Sequence, residues 1–163
     1  MINLKDIKNN VLKKENIYFL VLILFIFFLD RYSKNQILNN FNENIFYIND
    51  YFNLDLTWNT GIGFGLFSTE MNIIYNLMTI FIGIVILVLL LISINSDIFD
   101  KFLFSLITGG ALGNFYDRVT YKAVPDFIDV HYNNFHWFTF NVADVFITLG
   151  ITFFISRSIF VKS

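Results

Sequence analysis

Four runs of apolar residues divide this chain, and each run is long enough to cross a lipid bilayer. A membrane-spanning helix needs about 20 mostly apolar residues, and the runs cover about 17–38, 71–94, 98–119 and 138–159. The first and third runs end in polar motifs, DRYSK and GNFYDR. The pattern therefore predicts a mainly α-helical, polytopic membrane protein with four transmembrane helices, in a single membrane domain over 1–163.

Between the first and second runs, the polarity pattern changes to that of a β-strand. The segment FNLDLTWN (Phe52–Asn59) alternates apolar and polar residues, which is the period of a half-buried strand. Asn49 and Asp50 are placed to turn this strand back onto Ile45–Ile48 as a hairpin. We therefore predict a small β-sheet over about 43–69. Its Tyr, Phe and Trp side chains suit the outer membrane interface.

The distribution of Lys and Arg orients the predicted helices. Cytoplasmic loops carry an excess of these residues. Seven of the 11 lie on the side of the two termini: Lys5, Lys8, Lys13, Lys14, Lys101, Arg157 and Lys162. We therefore predict that both termini are cytoplasmic, and that the sheet and an outer loop over about 120–137 lie on the opposite side.

Composition narrows the chemistry that this chain can perform. Only 15% of the residues are charged, against about 25% in soluble proteins, which agrees with a membrane protein. The chain has no cysteine, which excludes thiol catalysis and disulfides, and no basic run that would indicate a nucleic-acid partner. His131 and His136 lack a third ligand and an H-E-x-x-H motif, so we predict no metal site.

The polar residues within or beside the predicted helices all fall at one membrane face. They end the first helix, precede the second, end the third and begin the fourth: Asp30, Lys34, Asn59, Gly61, Asn114, Asp117, Arg118, Asp126, Asn141 and Asp144. Ionisable residues inside a membrane are usually functional, because inserting them costs a few kcal/mol. We therefore expect the functional site near the outer face.

Asp144 is the strongest single candidate, because it is the one charge in the apolar segment FNVADVFITLG. Its spacing places it on the same helical face as Asn141 and Thr148. Asp126 gives a weaker signal, since an aspartate after a proline, here Pro125, most often occupies a turn. Packing of the third helix against the fourth would bring the two carboxylates to a similar depth.

The motif GGALGNFYDR (Gly109–Arg118) combines small residues, which allow close helix packing, with polar residues on one face. Asp117 and Arg118 are expected to compensate each other's charge in part. Arg118 and Asn114 offer donors to a backbone carbonyl or an oxyanion. In DRYSK, the acid and the base stand at i, i+4 in the order that favours an ion pair on a helix.

Five motifs occur in a fixed order along the chain: D-x-x-S-K (Asp30–Lys34), N-T-G-x-x-F (Asn59–Phe64), G-A-x-G-N-x-x-D-R (Gly110–Arg118), V-x-D-F (Val124–Phe127) and F-N-x-A-D (Phe140–Asp144). Together they make the chain resemble the lipoprotein signal peptidases, or signal peptidase II, from about Ile17 to Arg157. The resemblance implies an aspartic peptidase of the bacterial cytoplasmic membrane. Such an enzyme removes signal peptides from diacylglyceryl-modified prolipoproteins, cleaving before the lipidated cysteine.

The resemblance also implies roles for particular residues. It maps the catalytic pair onto Asp126 and Asp144, and the supporting residues onto Asp30, Lys34, Asn59, Gly61, Gly110, Asn114, Arg118 and Asn141. It implies no cofactor and no metal. The expected partners are prolipoprotein signal peptides and membrane lipids, and the enzyme is expected to act as a monomer.

A small transporter or proton relay is the alternative, since it would use the same polar cluster. A relay needs polar groups through both halves of the membrane. The inner halves of the predicted helices hold few such groups: Ser93, Ser105, Thr108 and Thr152. The sequence therefore favours the peptidase.

Overall fold

The computed structural model describes residues 13–40, 45–61, 72–133 and 135–160. Within these ranges the chain forms four helices and four strands: α1 (Lys14–Asn40), β1 (Phe46–Asn49), β2 (Phe52–Asn59), α2 (Asn72–Ser93), α3 (Ile98–Tyr121), β3 (Val124–Tyr132), β4 (Phe135–Phe140) and α4 (Val142–Phe160). Several predictions fall outside the described residues: both ends of the sheet segment, the end of the motif N-T-G-x-x-F, the first residue of the second predicted span, and Lys5, Lys8 and Lys162.

Among the described residues, three helices are long and apolar enough to cross a membrane: Lys14–Asn40, Ile73–Ser93 and Val142–Phe160. α3 has 24 residues, which is also sufficient length, but it contains the polar motif GNFYDR. It lies in the middle of the bundle, where α1, α2 and α4 all pack against it. Large apolar side chains such as Phe25, Phe81 and Phe153 point outward and are exposed. The fold is therefore the predicted one, a mainly helical membrane protein with a small sheet.

Glycines allow α3 to approach its neighbours closely, as the motif predicted. A Cβ atom on Gly110 would lie only 2.5 Å from the carbonyl oxygen of Ala143 in α4. A Cβ atom on Gly113 would overlap the carboxylate of Asp30 in α1. The small residues of α3 thus bring polar groups of all three helices to the same depth.

The four strands form one antiparallel sheet in the order β1-β2-β3-β4. The predicted hairpin is confirmed, with Tyr47 opposite Asn53. Its turn is held by Asn49, whose Oδ1 accepts hydrogen bonds from the backbone N–H groups of Tyr51 (2.9 Å) and Phe52 (3.0 Å).

Most of the segment over about 120–137, predicted as a loop, forms strands β3 and β4, and β4 continues to Phe140, into the start of the fourth predicted span. β3 is a central strand that pairs with β2 from Asn59↔Val124 to Phe52↔Val130. This strand was not predicted, because Pro125 cannot donate a backbone hydrogen bond to a sheet and a proline normally argues against a strand. Here the proline is the second residue of β3, near the strand's start, where this restriction is weakest.

Candidate active site

Asp144 is fixed at the start of α4 by reciprocal hydrogen bonds with Asn141, the residue just before the helix. The backbone N–H of Asp144 donates to Oδ1 of Asn141 (3.1 Å), and the backbone N–H of Asn141 donates to Oδ2 of Asp144 (3.2 Å). This is the pattern of a capping box. The positive end of the helix dipole also favours a carboxylate there. The local sequence N-V-A-D therefore dictates the position of Asp144.

Asp126 lies on β3 and is held by two side-chain amides. Nδ2 of Asn59 donates to its Oδ2 (2.9 Å), and Nδ2 of Asn141 donates to its Oδ1 (2.5 Å). Asn141 is therefore bonded to both Asp126 and Asp144. The structure thus brings together two carboxylates that lie 18 residues apart in the sequence, and both are buried, at 2% and 8% exposure.

The environment of Asp126 favours its protonated form. The pKa of Asp126 is raised to about 7, mainly by burial and next by the neighbouring negative charge of Asp144. The hydrogen bonds from Asn59 and Asn141 lower the pKa, but by less. Desolvation and a like charge both disfavour an ionised carboxyl group. Asp126 can therefore hold or release a proton near neutral pH, as a general acid or base must.

Asn114 connects Asp144 to a buried lysine. Its Nδ2 donates to Oδ1 of Asp144 (2.8 Å), and its Oδ1 accepts a hydrogen bond from Nζ of Lys34 (2.8 Å). Nζ of Lys34 also donates to Oδ2 of Asp30 (2.9 Å) and Oδ2 of Asp117 (2.7 Å). An ammonium group has three donors, so all three are used, and Lys34 is fully buried.

Asp30 joins α1 to the start of α4. Its Oδ2 is bonded to Lys34, as the DRYSK motif predicted, while its Oδ1 accepts a hydrogen bond from the backbone N–H of Ala143 (3.1 Å). The first N–H groups of a helix have no partner within the helix. Asp30 satisfies one of them and so fixes the helix end that carries Asp144.

Asp117 and Arg118 form no direct ion pair among the described residues, so the partial compensation expected between them is limited to an attraction over a longer distance. Oδ2 of Asp117 accepts a hydrogen bond from Lys34, and its Oδ1 accepts one from Arg31. Adjacent residues on a helix do not face each other, and Arg118 points elsewhere. No role was predicted for Arg31, although its position in DRYSK was an available signal.

Arg118 binds the backbone that leads away from β2. It donates to the carbonyl oxygens of Gly61 (2.7 Å) and Asn114 (3.2 Å), and the N–H of Gly61 donates to Oδ1 of Asn59 (2.8 Å). The predicted polar residues therefore form one closed network of hydrogen bonds. One side of it connects Asp126 to Asp144 through Asn59, Gly61, Arg118 and Asn114. The other side connects the same two carboxylates through Asn141 alone. Gly110 contributes by packing beneath Ala143.

A cavity of about 370 Å³ opens beside Asp144 between α2, α3 and α4. Asp144, Asn114 and Arg118 supply its polar side, and Thr148 also lines it, on the face that was predicted from its spacing. The other walls are apolar, with side chains such as Val85 and Ile147. The cavity can therefore hold an apolar chain whose polar backbone meets the carboxylate of Asp144.

The fold and the site together define a helical membrane protein in which two buried carboxylates share one amide at the edge of an apolar cavity. Residues 22–160 match the family described as signal peptidase (SPase) II. The chain therefore belongs to the signal peptidase II family. Membership makes it a bacterial membrane protein of a peptidase family.

Individual relatives agree with this assignment. The chain is 48% identical over 146 residues to a lipoprotein signal peptidase of Pelagibacter ubique (strain HTCC1062), covering 87% of this chain and 88% of that protein. It is 37% identical over 159 residues to one from Francisella tularensis subsp. mediasiatica (strain FSC147), covering 94% and 98%.

Solved structures support the fold. A bacterial membrane enzyme determined by the in meso method at 2.3 Å resolution matches with a TM-score of 0.73 and 27% identity, over 90% of each chain. A second, at 1.9 Å resolution, matches with a TM-score of 0.67 and 28% identity, over 86% of this chain and 91% of the other.

Proposed function

We propose that this chain is an aspartic endopeptidase that removes signal peptides from diacylglyceryl-modified prolipoproteins, cleaving before the lipidated cysteine. The observation that carries the proposal is the pair of buried carboxylates, Asp126 and Asp144, bonded to the same side chain, Asn141, beside an apolar cavity. The chain's relatives named lipoprotein signal peptidase support the substrate class.

In the proposed mechanism, the two carboxyl groups share one proton, because like charges so close together in a low dielectric do not both ionise readily. The ionised group takes a proton from a water molecule, whose oxygen forms a bond to the scissile carbonyl carbon. The protonated group polarises the carbonyl. When the carbon–nitrogen bond breaks, a proton passes to the leaving amine. The pair titrates as a unit, so both assignments of the first proton fit.

The surrounding residues position the pair. Asn141 and Asn114 orient Asp144, while Asn59 and Asn141 orient Asp126. Lys34 acts through Asn114, since it contacts neither member of the pair by a hydrogen bond among the described residues. Arg118 holds the Gly61 carbonyl and so fixes the chain next to the cavity. These groups provide the preorganised dipoles that lower a charged transition state.

The cavity supports a membrane-embedded substrate. Its apolar walls on α2, α3 and α4 suit the acyl chains and the hydrophobic segment of a signal peptide. The sheet exposes aromatic side chains, including Tyr47, Trp58 and Trp137, and such residues favour the membrane interface. We place the site near the outer face of the cytoplasmic membrane, with both termini in the cytoplasm, and we expect the enzyme to act as a monomer in contact with membrane lipids.

A proton relay is less well supported. Among the described residues, the buried carboxylates of the helices and the amides bonded to them lie at the end of the bundle near the sheet. Toward the opposite end, Ser105 is buried but donates to the backbone oxygen of Lys101 (2.8 Å), within its own helix. Within the part of the chain that the structure describes, the buried polar groups therefore do not form a chain across the bundle that would carry a proton.

The test is cleavage of a purified diacylglyceryl-modified prolipoprotein by the full-length enzyme in detergent or liposomes, followed by gel shift. Asp126→Asn and Asp144→Asn should each lower the rate by about 10³-fold or more, since each change removes a group that transfers a proton. Asp55→Asn, on β2, is the matched control and should cleave normally. If either dyad variant is folded and cleaves at a rate near that of the wild type, the aspartic mechanism is wrong. The unlipidated precursor should remain uncleaved.

A further inference from the structure

A second cluster of chemically active side chains lies on strands β3 and β4, away from the carboxylate pair. Asp129, His131 and His136 place one ligand atom each within 4.8 Å of one another. They include both histidines of the chain. The sequence alone offered two ligands and no third. Asp129 is the third, because it lies beside His131 on β3, and the pairing of β3 with β4 brings His136 to both.

The strand geometry explains this convergence. Asp129 and His131 are two residues apart on β3, so their side chains lie on the same face of the sheet. His136 is the cross-strand partner of His131 on β4. Asp126 is an odd number of residues from Asp129 and therefore faces the other side, about 10 Å along the strand at 3.3 Å per residue. The cluster is thus separate from the proposed catalytic pair.

Hydrogen bonding within the chain leaves this cluster incompletely satisfied. Oδ2 of Asp129 accepts from Nδ1 of His136 (2.8 Å). Nδ1 of His131 lies 3.5 Å from the same oxygen, yet it is buried and has no hydrogen-bond partner among the described residues. His131 itself is 7% exposed. A buried nitrogen without a partner is unfavourable, and a cation between the three atoms would remove that penalty.

The neighbouring side chain of Asn53 also has a buried polar atom that lacks a hydrogen-bond partner among the described residues. Asn53 of β2 is the register partner of Asp129, and such pairs point to the same face of a sheet. Within the part of the chain that the structure describes, Oδ1 of Asn53 is also buried without a hydrogen-bond partner. This amide oxygen adds a further donor of electrons beside the carboxylate.

We propose that Asp129, His131 and His136 form a binding site for a divalent transition-metal ion, with Zn²⁺ as the preferred ion. Zn²⁺ takes imidazole nitrogen and carboxylate oxygen at about 2.0–2.2 Å, so ligand atoms around a tetrahedral ion stand about 3.4 Å apart. The 3.5 Å between Asp129 and His131 already fits. The 2.8 Å between Asp129 and His136 is shorter than this, and a rotation of the exposed ring of His136 would widen it on binding.

The exposure of the ligands also fits the entry of an ion from solution. The side chain of His136 is 53% exposed, whereas that of Asp129 is 2% exposed. A buried carboxylate would attract the cation, and the exposed imidazole would close the site behind it. The bound ion would join β3 to β4 and so brace the strand that carries Asp126. This inference does not depend on the proposed peptidase activity.

The test is a calorimetric titration of Zn²⁺ into full-length protein in detergent micelles, after the affinity tag has been removed and metals have been stripped with a chelator. One ion should bind per chain. His136→Gln and Asp129→Asn should each weaken binding by at least about tenfold, since losing even an outer-shell partner of a metal site costs about that much. Asp55→Asn, an acid on the same sheet, is the matched control and should bind as the wild type does.

Two further measurements complete the test. Cu²⁺ occupies nitrogen sites strongly, and its electron paramagnetic resonance spectrum should show coupling to two imidazole nitrogens, reduced to one in His136→Gln. Zn²⁺ should raise the thermal unfolding midpoint of the wild type but not of His136→Gln. Absence of saturable binding would overturn the site, as would binding that is lost in Asp126→Asn and kept in His136→Gln.

Discussion

Asp126 and Asp97 lie at opposite ends of the helix bundle, and their carboxyl groups have opposite pKa shifts. Burial, together with the charge of Asp144, raises the pKa of Asp126 to about 7. Hydrogen bonds from the Arg157 side chain and the backbone of Asp100 lower the pKa of Asp97 to about 2. The first carboxyl group is 2% exposed and the second is half exposed.

This difference in burial and in pKa indicates that the two ends of the bundle have different roles. We call the end with Asp30, Lys34, Asp126 and Asp144 the site end, and the end with Asp97 the far end. At the far end, the carboxylates of Asp97 and Glu15 are about half exposed, and an ion pair that is open to solvent contributes little free energy. At the site end, Asp30, Lys34, Asp126 and Asp144 are all buried, so removing one partner leaves another buried group without its hydrogen bond. A network that is held this rigidly suits catalysis rather than general stability.

The largest expected effect on folding is that of Lys34→Met. The substitution leaves three buried acceptors on Asp30, Asn114 and Asp117 without their donor. It should lower the free energy of unfolding by about 3–5 kcal/mol, measured by denaturation in mixed micelles. Lys101→Met is the control at the far end, where the buried Lys101 forms an ion pair with the exposed carboxylate of Glu15 (3.4 Å). Equal losses in the two variants would remove the distinction between the ends.

Asn141→Ala should separate positioning from folding. Loss of the cap should cost about 1 kcal/mol of stability, while misplacement of the carboxylates should lower kcat by about 10–100-fold. Because the Asn141 amide lowers the pKa of Asp126, its loss should also move the alkaline limb of the pH–rate profile to higher pH. Asn16→Ala, at the far end, should change neither kcat nor the pH–rate profile. An unshifted profile would mean that Asn141 acts only as a helix cap.

The pH dependence of cleavage should report the shared proton. Above a pH of about 7, where Asp126 ionises, kcat/KM should fall by about tenfold per pH unit. The folded-state pKa of Asp126 is raised from 3.8, so its contribution to stability is complete below about pH 4 and is lost as the pH rises through about 7. A rate that stays constant from pH 6 to pH 9 would contradict the shared proton.

Arg157→Gln should have the smallest effect. Its partners Asp97 and Asp100 are partly exposed, so unfolding in micelles should change little and the difference should shrink in salt. The pKa of Asp97 is lowered from 3.8 to about 2, so its contribution is present above about pH 4 and is lost as the pH falls through about 2. In the variant this acid-side loss should become smaller but should persist, because the backbone N–H groups of Asp100 and Phe99 still donate to Asp97. A large loss of stability at neutral pH would show that the far end is not solvent-screened.

Much of the fold and the site could be predicted from the sequence, because the relevant signals are local. Apolar length predicted the helices, and alternation with an Asn-Asp turn predicted the β1–β2 hairpin. The spacing of Asp30 and Lys34 predicted their ion pair. The spacing of Asn141 and Asp144 placed them on one face of α4, and that same spacing produces the capping box.

The tertiary structure decided what depends on distant residues. The sequence alone did not show that Lys34 and Arg31, rather than Arg118, compensate Asp117. Nor did it show that residues after Pro125 form a central strand, or that Asp129 stands beside both histidines. These contacts join segments whose separation along the chain carries no periodic signal. They form because burial obliges each polar group to find a partner, and only the packed helices and paired strands determine which partner is within reach.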